Sequence, residues 1–204
     1  MESSLRTGRL LRRWRPADLP AFAELNADAE VMEHFPTTLT AQESDAFAAR
    51  IGAQVDERGW GLWAVEITDT EPAGRGGFAG FTGLSVPSWQ AHFTPAVEIG
   101  WRLARWAWGH GFASEAARAA LAFGFDTLGL PEIVSFTSVA NWRSRAVMDR
   151  IGMTRDPDGD FDHPAVPQGH ILRRHVLYRL RIEDWALAGQ RRGRDTVPAV
   201  PRTA

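Results

Sequence analysis

The 204-residue chain contains no cysteine. That absence excludes disulfides, thiolate metal sites and catalysis through a cysteine nucleophile. Lysine is absent as well: all 23 basic residues are arginine, against 25 acidic ones, for a formal net charge of −2. Proteins that hold nucleic acid through its phosphates normally show a marked basic excess, so no specific nucleic-acid partner is expected. The local cluster Arg12, Arg13 and Arg15 accordingly reads as a solvated face rather than a polyanion site. Tyrosine occurs once, as Tyr178. No apolar run approaches the roughly 20 residues that cross a bilayer, and the start MESSLRTGRLLRRW has no apolar stretch of signal-peptide length. The expectation is a cytoplasmic protein without a membrane partner.

What is present is ordinary globular usage, 44% hydrophobic and 24% charged, enough for one substantial core. Residues 9–14 read as a short strand. Pro16-Ala17-Asp18 reads as a helix start with proline in the first turn, after which Leu19, Phe22 and Leu25 recur at helical spacing. A second short helical piece, carrying Val31, Met32 and Phe35, ends at Pro36. Thr40-Ala41-Gln42-Glu43 fits a capping box that opens a helix with Phe47, Ile51 and Val55 on one face. From Trp60 the period changes: residues 60–68 and 77–86 read as a hairpin, 95–104 as a further strand, and 112–128 as a helix with Phe112, Ala116, Ala119 and Phe123 on one face. Residues 133–139 read as a buried strand, Asn141 as the cap of a helix that stops at Gly152, 156–169 as a polar Pro-rich loop, and 174–180 as the last strand. Beyond Trp185, arginine, glycine and proline with little to bury predict disorder. A mixed sheet covered by helices is the architecture this order predicts.

The most informative stretch runs from Glu98 to Ala116, where a strand empties through Gly109 and Gly111 into a helix N-terminus. Free N–H groups and the positive end of the helix dipole favour an anion there, and glycine lets backbone approach a pyrophosphate. The same spacing also suits a tight strand-to-helix turn with glycines for geometry alone. It is neither a dinucleotide fingerprint, for want of a third glycine, nor a P-loop, for want of Gly-Lys-Ser or Gly-Lys-Thr.

Trp108-Gly109-His110-Gly111-Phe112-Ala113-Ser114-Glu115-Ala116 is preceded by Val97-Glu98-Ile99-Gly100-Trp101-Arg102-Leu103. It is followed by Asn141-Trp142-Arg143-Ser144 and by Ile151-Gly152-Met153. Together these blocks resemble the GNAT superfamily of N-acetyltransferases, and more narrowly the branch that acetylates N-terminal amines of ribosomal proteins. The resemblance covers residues 9–180. It implies one α/β (α+β) acyltransferase domain at 9–186, between a flexible N-terminus at 1–8 and a disordered tail at 187–204. Its sheet would be mixed and mostly antiparallel, with six to seven strands, helices on both faces and a splayed parallel pair at the cofactor site. Acetyl-CoA would be the co-substrate, and the acceptor a protein N-terminal amine or a small-molecule amine; a homodimer is left open. The resemblance assigns Trp101, Arg102 and Leu103 to pantetheine and the thioester carbonyl. It assigns Trp108, Gly109, His110, Gly111, Phe112 and Ala113 to the pyrophosphate, and Asn141 and Ser144 to further cofactor contacts. There are two departures: Trp106 stands where the superfamily motif carries Arg or Gln, with Arg105 one position away, and Met148 stands where many members carry a tyrosine acid.

With no nucleophile–base pair legible, direct attack by the amine in a ternary complex is the economical route. Glu98 is the first candidate for the base, because burial on an apolar strand would raise its pKa; an exposed or paired glutamate is the other reading. Asn141 is a preferred N-cap type, and Ser144 is either a donor near the sulfur or an ordinary helix serine. His92, His163, His170 and His175 fall in or beside the substrate-side loops, and a histidine can act as a base near neutral pH. The spacing of His170 and His175 lacks a third ligand, so no metal is expected. Two other classes stay open: a non-catalytic acyl-CoA-binding module, and a structural domain whose glycine turn is only geometric.

Overall fold

The computed structural model describes residues 3–4, 9–68 and 73–195. Its strands are β1 (Ser3–Ser4), β2 (Arg9–Arg12), β3 (Leu62–Ile67), β4 (Gly77–Ser85), β5 (Glu98–Leu103), β6 (Glu132–Ser138), β7 (Thr154–Asp162) and β8 (Arg174–Arg181). They form one sheet in the order β1-β2-β3-β4-β5-β6-β8-β7. All neighbours are antiparallel except β5 and β6, whose parallel register consists of Glu98 opposite Val134. The helices are α1 (Leu19–Ala27), α2 (Ala41–Arg58), α3 (Phe112–Ala122), α4 (Trp142–Arg150) and α5 (Ile182–Asp195).

Strand alternation sends successive side chains to opposite faces, and each face has its own core. One face packs Trp63, Val65, Leu84, Ile99 and Leu103 against Phe112, Ala116, Ala120 and Leu121 of α3 and Met148 and Ile151 of α4. The other face is covered in two parts. Phe22 and Leu25 of α1 and Ala48, Ile51 and Val55 of α2 pack on Leu62 and Phe81. Across the sheet, Phe93 packs on Val134, Phe161 and Leu177. Between these two parts, β5 presents Glu98, Gly100 and Arg102.

Local chemistry explains most boundaries. The Thr40–Glu43 capping box forms as expected, and Gly59 ends α2 in the left-handed region at φ 77°. The Asn141 side chain accepts from the Ser144 N–H at 3.1 Å and starts α4. Other expectations need correction. Residues 29–37 form turns and bends, not a second helix. The helix from Phe112 is α-helical only to Ala122 and then widens to a π turn over Phe123–Thr127. Gly124 lets this turn pack closely on the sheet, since a Cβ there would come within 2.6 Å of Ile133 Cδ1. The polar stretch assigned to a loop contains β7, which pairs with β8 at the sheet edge. An edge strand tolerates Pro157 and a charged outer face, which is why hydrophobic patterning does not reveal it. Residues 187–195, assigned to the tail, continue α5, anchored upstream by Trp185 Nε1 donating to Asp126 Oδ1 at 2.9 Å. Residues 196–204 lie outside the described residues, as do 1–2 and 5–8 of the expected N-terminal arm, whose Ser3–Ser4 pairs with β2.

Arg12 is the other correction. It is 2% exposed rather than solvated. Its guanidinium makes a bidentate pair with buried Asp18 at 2.7 and 2.7 Å, and its Nε donates to Glu66. Hydrogen bonding to Asp18 is the largest cause holding it in the charged form. Removing one partner of such a pair strands a buried charge. Asp18→Ala should therefore destabilise the protein by about 3–5 kcal/mol in urea unfolding, and the apolar double replacement Arg12→Met with Asp18→Leu by less. A loss below about 1 kcal/mol for Asp18→Ala would show that Glu66 alone neutralises Arg12.

Candidate active site

The site lies where β5 and β6 part. The Val134 N–H donates to the Val97 carbonyl at 2.9 Å, and the Ser135 hydroxyl donates to the Ile99 carbonyl at 2.9 Å. Beyond that point no strand pairs with this edge of β5 among the described residues. In a strand, the N–H and C=O of one residue point to the same side, and the sides alternate along the chain. Val97 and Ile99 face β6, so the backbone groups of Trp101 and Leu103 do too, into the open wedge. The Leu103 carbonyl is already taken by the Trp108 indole N–H at 2.7 Å. The Trp101 and Leu103 N–H groups face the wedge without a strand partner.

The wedge leads to the turn at the head of α3. Gly109 and Gly111 adopt φ 80° and 81°, and a Cβ on either would meet nothing within 4 Å. Left-handed backbone is thus what requires glycine, and the space before the turn is open. Gly111 is the N-cap and offers no side-chain cap, so the N–H groups of Ala113 and Ser114 in the first turn of α3 have no partner within the helix. An uncapped helix start with open space before it fits a pyrophosphate. The Asn141–Ser144 block meets this turn, because the Arg143 guanidinium lies 4.9 Å from the Trp108 ring centroid. A cleft of about 640 Å³ adjoins the turn, with Arg75, Arg105 and Arg143 on its walls beside Glu24, Asp28 and Glu30. Asn141 is also held structurally, donating to Thr137 Oγ1 at 2.9 Å, whereas the Ser144 hydroxyl makes no hydrogen bond among the described residues.

Glu98 stands at the apex of the wedge. Ser85, opposite it on β4, donates to Oε2 at 3.4 Å, and burial pushes the carboxyl up to about 8. A Cβ built on Gly100 would have Glu98 Oε1 as its one neighbour, at 3.7 Å. The glycine therefore leaves room beside the carboxylate on the face that carries Arg102.

The histidines behave differently. The His163 and His175 rings lie tilted with centroids 4.9 Å apart, within a cluster of Trp89, Phe93, Phe136 and Phe161. Burial lowers both, His163 to about 4 with help from His175, so they stay neutral at pH 7. His170 accepts from the Leu172 N–H at 3.1 Å, and His92 lies exposed at the surface. Among the described residues no group of three or more His, Asp or Glu is placed to hold a metal, and no helix is long and apolar enough to cross a membrane.

The structure gathers Glu98, Trp101, Leu103, Trp108, Gly109, His110, Gly111, Phe112, Ala113, Asn141 and Ser144 around the wedge and its exit. It leaves out Arg102. That residue's backbone pairs with β4, and its side chain runs to the opposite face, toward α1 and α2. Strand parity already separated Arg102 from Trp101 and Leu103. Two contacts had no signal in the sequence: Ser138 to His34 Nδ1 at 3.3 Å and Arg143 to Glu33 at 3.3 Å. Both tie the segment after α1 to β6 and α4.

Met148 is buried in the core at 1% exposure, and Tyr178 at 3%. Neither offers a phenol to the site.

A family model described as the acetyltransferase (GNAT) domain matches residues 9–154. The FsC-acetyl coenzyme A-N(2)-transacetylase of Aspergillus fumigatus is 35% identical over 92 residues, which is 45% of this chain and 39% of the fungal protein. The match thus spans well under half of that relative's length. The crystal structure of a GNAT-family acetyltransferase from Bacillus anthracis superposes with a TM-score of 0.71 at 24% identity, over 90% of this chain and 99% of that one. RimL, a ribosomal alpha-N-protein acetyltransferase solved in complex with coenzyme A, superposes with a TM-score of 0.67 at 19% identity, over 90% and 99% of the two chains. Those structural likenesses speak for the fold, and the domain match for the family: the chain belongs to the GNAT acetyltransferases.

Proposed function

We propose that the protein transfers an acetyl group from acetyl-CoA to a primary amine by direct attack in a ternary complex. The observation that carries this reading is Glu98: a carboxylate with its pKa near 8, at the apex of a wedge whose exit is an uncapped helix N-terminus. Bound acetyl-CoA would supply an activated acyl carbon. The α3 N–H groups, with Arg75, Arg105 and Arg143 nearby, would hold its phosphates. The N–H groups of Trp101 and Leu103 would align the pantetheine arm and polarise the thioester carbonyl. Glu98 would take the proton of the incoming ammonium, for which a pKa near the working pH is suited. Ser144, half-buried with an unengaged hydroxyl, is the proposed proton donor to the departing sulfur where Met148 replaces tyrosine. The acceptor is a small-molecule amine or a protein N-terminus. The fungal relative's name points to the first and that of RimL to the second.

If Glu98 is the base, Glu98→Gln should lower kcat by about 10²–10⁴-fold with acetyl-CoA affinity retained, and should remove the limb that rises toward pH 8. Near-normal turnover with an unchanged pH profile would reduce Glu98 to a structural carboxylate. The same substitution has a signature in stability. The folded state holds the Glu98 proton between the ordinary pKa of 4.5 and about 8, so this group's contribution is intact below pH 4.5 and lost progressively up to about 8. Glu98→Gln should melt higher than the wild type above pH 8 and equally below pH 4.5; the reverse order would contradict a buried carboxyl.

The turn has its own test. His110 is exposed between the two glycines, so a carboxylate there should not disturb packing. His110→Glu should raise the coenzyme A dissociation constant by about tenfold or more at low salt while leaving the melting temperature unchanged. Unaltered affinity would place the phosphates elsewhere.

A further inference from the structure

Arg102 is a half-buried cation without a counter-charge among the described residues. Its Nη1 donates to Asn26 Oδ1 at 2.5 Å, and its Nε is buried with no hydrogen-bond partner. Rings surround it: Phe35 at 4.1 Å, Phe81 at 5.5 Å and Phe47 at 5.7 Å from the guanidinium carbon. No carboxylate pairs with it among the described residues, and burial lowers its pKa to about 10. Arg12 shows what this fold does with a buried arginine whose task is structural: it supplies two carboxylates. A guanidinium left unneutralised in an apolar setting is costly unless a further group completes it.

The geometry of the free edge says what that group is. Asn26 engages Nη1 and is itself fixed, donating to Ser44 Oγ at 2.9 Å with both residues at 0% exposure. The edge that remains is Nε with Nη2, two parallel donors that match the two oxygens of a carboxylate. Phe35, 39% exposed, is the outer wall of this pocket. Along β5, Arg102 shares a face with Gly100 and Glu98, with Cα positions roughly 13 Å apart for four residues of strand. The open room over Gly100 lies between the two side chains.

We propose that Arg102 binds a carboxylate of the acceptor, so that the substrate is an amine carrying a carboxylate many bonds away, laid along β5 with its nitrogen at Glu98. A short peptide or a long ω-amino acid covers more of that strand length than an α-amino acid does. The inference rests on the acetyltransferase reading and deepens it.

Matched probes separate the two. Triglycine and 6-aminohexanoate, each against its C-terminal amide, should differ in kcat/KM by roughly 10–100-fold in favour of the acid, the range expected for a charge-assisted bidentate contact. Calorimetry with coenzyme A present should show the same order in affinity. Arg102→Gln should bring the acid down to the level of the amide with coenzyme A affinity unchanged, and Arg102→Lys should recover only part of the preference. A melting curve establishes that each variant is folded. Equal turnover and equal binding of acid and amide by the wild type, or a preference that survives in Arg102→Gln, would overturn the role of Arg102 while leaving acetyl transfer standing. Failure of the wild type to bind coenzyme A would overturn the acetyltransferase reading itself.

Discussion

β5 and β6 share one parallel pair, Glu98 with Val134, and then diverge. A sheet edge opened in its own middle must find other partners for its backbone groups, because buried N–H and C=O groups are costly to leave unpaired. Two side chains meet part of that need, Ser135 at the Ile99 carbonyl and Trp108 at the Leu103 carbonyl. What is left points into the wedge. The wedge runs on to the start of α3, where Gly111 supplies no side-chain cap, so the open strand edge and the helix N-terminus are continuous. A thread-like ligand with amides along its length and phosphates at its end is complementary to both.

The same divergence divides the sheet face beneath α1 and α2. Their helices cover one half and the aromatic cluster around Phe93 and Phe136 the other, while β5 lies at the seam with Glu98, Gly100 and Arg102. The contacts from His34 to Ser138 and from Arg143 to Glu33 join the segment after α1 to β6 and α4. One strand therefore serves two roles by parity: the odd residues turn backbone toward the wedge, and the even residues turn side chains toward the seam.

Stability is unevenly distributed over these buried charges. Arg12, Asp18 and Glu66 complete one another where the chain enters the first helix, far along the sheet from the wedge. Glu98 and Arg102 do not: one is pushed up and the other down, each by burial. Residues that break the usual rule of neutralised interiors are expected where binding or catalysis needs a group held off its resting preference. His163 and His175, in an aromatic setting, are instead held neutral by burial.

The sequence by itself determined the elements whose chemistry is local. The Thr40–Glu43 box, the Asn141 cap, the Gly59 and Gly152 stops and the glycine turn before α3 depend on backbone groups within a few residues, and residue type there is nearly sufficient. The α/β order followed from the same local signals, whereas the cofactor-side motif was legible through its resemblance to a known family. β7 was hidden because an edge strand with charged residues and Pro157 carries no apolar alternation, and α5 ran past 187 because an anchored helix outlasts its composition. Only the tertiary structure decided the fates of Arg12 and Arg102. Both are arginines on strands, but one meets Asp18 and Glu66, and the other meets Asn26 and three phenyl rings brought from 21 to 76 residues away. Burial and partnership are properties of the assembled faces, and no periodicity along a single strand encodes which charges will face each other across it.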